Sequence, residues 1–168
     1  MFGIKIDSWE KLVSESAQEL DMSNMEAWPY VDLTDQSVGT HVNLNYGDPT
    51  CEEGLNGHEL VEIEPKSSHE GFEFMEMFAQ SRPEAQANKI YQSLNRRHPF
   101  STFRYAVEDL SILQEWYDFK NKALEELAEE RLRDYDIEFR DGKIVCTKPE
   151  NITVFECGDD NDEFGGKV

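Results

Sequence analysis

Positive charge is scarce in this chain. Sixteen lysines and arginines stand against 36 aspartates and glutamates, for a formal net charge of −20. Phosphate backbones and anionic lipid surfaces repel such a chain, so neither direct nucleic-acid binding nor membrane binding is expected. Cysteine is sparse as well. Cys51, Cys146 and Cys157 are odd in number and too few for a disulfide scaffold, and they read as thiols of a reducing compartment. No apolar run approaches a membrane span, and Met1–Asp7 lacks the layout of a secretory signal, so a cytoplasmic location is expected. A Gly-x-Ser-x-Gly elbow, a His-Glu-x-x-His helix and a glycine-rich phosphate loop are all missing. The reading therefore leans away from an enzyme, and no cofactor or metal is expected.

What is present suffices for a core. Hydrophobic residues make up 38% of the 168 and aromatics 11%, which excludes wholesale disorder. Trp9, Leu12, Val13, Ser16, Ala17 and Leu20 recur at helical spacing over 8–20. Trp28–Leu33 and Val38–Leu44 flank Thr34-Asp35-Gln36-Ser37 as a hairpin, a polar loop fills 45–57, and Glu59–Glu64 alternates as a third strand. The following helices are punctuated by cap spacings: Ser67 with Glu70, Ser81 with Glu84, and Ser111 with Gln114. Pro99 opens a short helix expected to bury Phe100, Phe103 and Val107, and the longest helix covers about 112–134. Asp141-Gly142 between Ile137–Phe139 and Lys143–Val145 signals a second hairpin, with a short strand expected at Ile152–Phe155.

These elements predict an α+β fold: a small antiparallel sheet, with the Ile137–Val145 hairpin as a candidate member, packed against a bundle of four to five helices. Residues 1–157 are expected to form a single domain and 158–168 an acidic tail.

The charge is uneven, and half of the basic residues fall in 96–140. Arg96-Arg97-His98 precedes the helix start at Pro99, with Ser101, Thr102 and Arg104 inside it. A helix N-terminus offers unpaired N–H groups and a positive dipole end, and guanidinium groups and hydroxyls beside it favour an anion. Arg96, Arg97, Ser101, Thr102 and Arg104 are thus a candidate anion- or partner-binding site. The plainer alternative pairs these arginines with surplus carboxylates while the phenylalanines fill the core. Trp116, Tyr117 and Phe119 could stack bases, but the interleaved Glu115 and Asp118 and the spacing of Trp116 and Phe119 favour a buried stripe, with Tyr117 the exception that points elsewhere. Cys51, His58 and His69 match no zinc spacing, and Asp159–Glu163 lacks the alternation of a calcium loop. Glu62 and Glu64 share a strand face and could act as acid and base, although such pairs are common in so acidic a chain.

Arg97-His98-Pro99-Phe100-Ser101-Thr102-Phe103-Arg104-Tyr105, followed by Leu113-Gln114-Glu115-Trp116-Tyr117-Asp118-Phe119-Lys120, resembles the bacterial uncharacterised protein family 0158. Tyr30–Asp35, Ile63-Glu64-Pro65 and Gly71–Phe78 extend the resemblance over about 25–140. It implies no activity, substrate or cofactor. Ser101 and Thr102 stand where the family carries paired arginines, which weakens an anion site there.

Three functions follow as expectations. The first is a cytoplasmic protein-interaction or regulatory module whose acidic surface steers a basic protein partner. The second is a nucleic-acid mimic or inhibitor of a basic nucleic-acid-binding protein, with Glu125, Glu126, Glu129 and Glu130 spaced in paired rows. The third is a phosphate-ligand binder or enzyme using the Arg96–Arg104 helix start.

Overall fold

A computed structural model describes residues 4–24, 26–42 and 55–155. Cys51, Cys157, the tail at 158–168 and most of the loop expected at 45–57 lie outside the described residues. The protein is α+β, in two compact units: Met1–Pro65 with Leu127–Val168, and Lys66–Glu126.

The first unit holds a five-stranded antiparallel sheet in the order β1-β3-β2-β4-β7. Its strands are β1 (Ile4–Lys5), β2 (Ala27–Asp32), β3 (Ser37–Val42), β4 (Glu59–Glu62) and β7 (Thr153–Val154). Helix α1 (Trp9–Met22) starts where the Ser8 hydroxyl accepts the Lys11 N–H at 3.1 Å, and it buries Leu12, Val13, Ser16, Ala17 and Leu20 as its spacing predicts. β2 is central and buried on both faces from Tyr30 to Asp32. One face puts Val31, Val38 and Ile63 with Leu20, Ala128 and Leu132, and the other clusters Tyr30, Leu55, Leu60 and Phe155. Tyr30 lies across its strand partner Gly39, where a Cβ would meet the phenol oxygen at 2.5 Å. Only a residue without a side chain leaves the ring that space.

The second hairpin does not extend this sheet. β5 (Ile137–Arg140) and β6 (Lys143–Cys146) form a two-stranded sheet of their own, closed at Asp141-Gly142 with φ values of 51° and 77°. At the outer edge of β6 the Gln36 amide stands where a strand would: Ile144 N–H donates to Gln36 Oε1 at 2.6 Å and Gln36 Nε2 donates to the Ile144 carbonyl at 3.1 Å.

The second unit is helical: α2 (Ser68–Gln80), α3 (Glu84–Leu94), α4 (Pro99–Asp109) and the part of α5 (Leu113–Asp134) up to residue 126. The Ser67–Glu70 capping box forms with both bonds in place. The other two serines cap nothing downstream. Ser81 ends α2, its hydroxyl donating to the Phe78 carbonyl at 2.6 Å, and Pro83 takes the N-cap of α3. Ser111 has φ 60° and lies one residue too early to cap α5. Met75, Phe78, Ile90, Leu94, Phe103, Val107, Ile112 and Trp116 form the core. Phe103 and Trp116 meet edge to face at 4.7 Å, so Trp116 is a core residue and no platform for bases. Among the described residues, no helix is long and apolar enough to cross a membrane.

Candidate functional site

The turn between α3 and α4 separates the residues that sequence reasoning grouped. α3 ends at Leu94 with Asn95 as its C-cap, and Arg96, Arg97 and His98 follow on the surface before Pro99 takes the first helical position. Proline suits that position, because its fixed φ is helical and its missing N–H has no intrahelical partner there.

The structure uses Thr102 internally. Its hydroxyl lies 2.6 Å from the Ser93 carbonyl, 3.0 Å from that of His98 and 3.2 Å from that of Pro99. A hydroxyl has one proton to give. The shortest contact ties the last turn of α3 to the first turn of α4, so this group is not held out for a ligand.

Arg104 is also engaged. Its Nε donates to Glu108 at 2.9 Å, and its guanidinium carbon lies 5.7 Å from the centre of the Tyr117 ring. The Glu108 hydrogen bond, followed by the neighbouring Tyr117, holds the Arg104 pKa above its ordinary value. For this one arginine the plainer expectation of carboxylate pairing is met.

Arg96 and Arg97 differ. Neither makes an ion pair among the described residues, in a chain with more than two acids for every base. Arg96 lines an open cleft of about 240 Å³ between α3 and α4, with Lys89, Gln92, Thr102, Tyr105 and Asp109. Lys89 reaches Asp109 at 3.5 Å across it. Ser101 is exposed on α4.

The outward face of α4 corrects a second expectation. Phe103, Ala106 and Val107 are buried, but Phe100 is 50% exposed and Tyr105 66%. At 100° per residue, Phe100, Arg104 and Glu108 form one surface row, and Ser101, Tyr105 and Asp109 the row beside it. The ring edge of Phe100 lies at Gly71 of α2, 3.4 Å from where a Cβ would stand.

Lys89, Gln92 and Tyr105 were not among the candidates read from the sequence. The spacing of Lys89 and Gln92 on α3 was the available signal, since it puts two polar side chains on one helical face just before Arg96 in the following turn. Other candidates settle elsewhere. His58 pairs with the buried Asp32 at 2.7 Å, and exposed His69 pairs with Glu73 at 3.0 Å. Glu62 lies 3.8 Å from His41, whereas the backbone of Glu64 is taken by Tyr135 and Arg131: its N–H donates to the Tyr135 hydroxyl and its carbonyl accepts from Arg131. No protein-family model, curated protein or solved structure matches the chain.

Proposed function

We propose that the chain is a small acidic cytoplasmic protein that binds another protein, with the outward face of α4 as its contact surface. The observation that carries this reading is the pair of exposed rings, Phe100 and Tyr105, on a face that also presents Arg104. Aromatic and arginine side chains contribute most of the energy when an interface covers them. Arg96 and Arg97 bring positive charge to the start of the same helix and have no ion pair to give up among the described residues. A basic partner is steered by the net charge of −20, and its own carboxylates meet these arginines locally.

The test is a tagged pull-down from the native host with the unaltered chain and with Phe100→Ser/Tyr105→Ser, both positions being exposed enough to change without emptying the core. The expected result is a stoichiometric protein partner retained by the first and lost by the second. No partner under several growth conditions, or one that the double substitution leaves in place, overturns the reading.

A second reading is imitation of nucleic acid. Glu125, Glu126 and Glu130 on α5 are exposed and make no ion pair among the described residues. Inhibition of one member of a panel of nucleases and basic DNA-binding proteins, reversed by Glu125→Gln/Glu126→Gln, would favour it over the first.

A further inference from the structure

The β5–β6 hairpin has two edges, and among the described residues a side chain caps only the β6 one, at Ile144. Its two-residue loop makes Arg140 and Lys143 the first hydrogen-bonded pair. Antiparallel pairs alternate, so Glu138 and Val145 exchange the next bonds and Asp136 and Thr147 the following one. The Thr147 N–H donating to the Asp136 carbonyl at 2.9 Å fixes that phase. The backbone groups of Ile137 and Phe139 on β5, and of Ile144 and Cys146 on β6, therefore point away from the hairpin's own ladder. Those of Ile144 are met by the Gln36 amide, which does the work of a neighbouring strand. On the β5 side, Ile137 is buried, and no donor or acceptor among the described residues meets the N–H and carbonyl of Phe139. An open cleft of about 400 Å³ runs along this edge, walled by Trp9 and Arg133. Arg133 is steadied there by Glu129 at 2.7 Å and lies 5.3 Å from the centre of the Trp9 ring.

We propose that the β5 edge pairs with the β5 edge of a second copy of this chain. Glu138-Phe139-Arg140 is self-complementary when laid antiparallel on itself. Centred on Phe139, the pairing sets each copy's Glu138 opposite the other's Arg140 and the two Phe139 residues opposite each other. Opposite charges and facing aromatics are favourable cross-strand pairs. The Phe139 N–H of each copy donates to the Phe139 carbonyl of the other.

Neighbouring registers are worse. Centring on Glu138 puts two carboxylates face to face, and centring on Ile137 puts Glu138 against Asp136, so the charges select one alignment. Glu138 and Arg140 already form an ion pair within one chain, and both are substantially exposed. They stand side by side before the second copy arrives, and association needs no refolding. The relation is a two-fold, so it closes at the dimer instead of propagating. The net charge of −20 opposes association, but salt screens charges more than about 8 Å apart at physiological ionic strength, whereas the paired groups touch.

Sedimentation equilibrium over a range of protein concentrations tests this, with the full chain, Glu138→Arg, Arg140→Glu and an equimolar mixture of the two variants. The unaltered chain is expected to approach twice its mass of 19.5 kDa as concentration rises. Each variant should remain monomeric, because its edge carries two like charges. Their mixture should recover the dimer as a heterodimer, since one edge then carries two arginines and the other two glutamates. Circular dichroism identical to that of the unaltered chain shows that neither variant has unfolded. An unaltered chain that stays monomeric throughout overturns the proposal and leaves the edge to an extended segment of another protein. A dimer that both variants preserve, or variants that the mixture does not rescue, overturns it equally.

Discussion

Replacing Thr102 by valine separates two roles for the same hydroxyl. The substitution keeps the branched shape and removes the 2.6 Å bond to the Ser93 carbonyl. That carbonyl is not orphaned, because it also accepts the N–H groups of Asn95 and Arg96. The loss is therefore the net value of one internal hydrogen bond, about 1 kcal/mol, without the larger penalty of an unsatisfied buried acceptor. In a chain of this length such a loss lowers the melting temperature by about 2–4 °C. Urea unfolding followed by tryptophan fluorescence reads it, because Trp116 belongs to the core that Phe103 of α4 enters. The midpoint should fall with an unchanged slope, while titration with inorganic phosphate should give the same response in both proteins. Unchanged stability together with weakened phosphate binding would refute the reasoning and return the hydroxyl to a ligand.

Gly39→Ala should destabilise by about 1–3 kcal/mol, because the new methyl collides with the buried Tyr30 ring, and Gly39→Ala/Tyr30→Leu should recover part of that loss in the same unfolding assay. Burial raises the pKa of Tyr135. Its contribution to stability is therefore complete below the ordinary tyrosine value near 10 and is lost as pH rises through the folded value; Tyr135→Phe should flatten the fall of stability with pH in that alkaline range. The hydrogen bond from Lys5 lowers the pKa of Asp35. That contribution is present above the ordinary carboxylate value and lost as pH falls below it, so Lys5→Met should reduce stability at neutral pH and leave it unchanged in strong acid.

The legible parts of the fold were those whose signal is local. Ser67 with Glu70, Pro99, and Asp141-Gly142 each specify a turn or cap within four residues, and each forms as the sequence predicts. The misread caps show the limit of that signal. Ser81 lies at a junction only three residues long, where its hydroxyl reaches the Phe78 carbonyl behind it before any N–H ahead. Strand order depends on pairings between distant segments, and β1 and β7, at two residues each, are too short to show a period. Gln36 and Ile144 are 108 positions apart, so nothing near either announces that a glutamine closes the second hairpin.

Within the candidate site, the arginines were legible by type and their fates were not. Glu108, one helical turn beyond Arg104, decides one of them, while Arg96 and Arg97 sit on a turn where no carboxylate comes within reach among the described residues. Phe100 has as its neighbour Gly71, a residue on another helix that nothing near Phe100 in the sequence announces.

The account stands or falls on whether the face of α4 is covered by a protein in the cell. A photoreactive amino acid placed at Tyr105, with a control at exposed Asn88 on α3, tests it directly. The account predicts one discrete cross-linked protein from position 105 and none from position 88. No cross-link at position 105, or the same products from both positions, would contradict it.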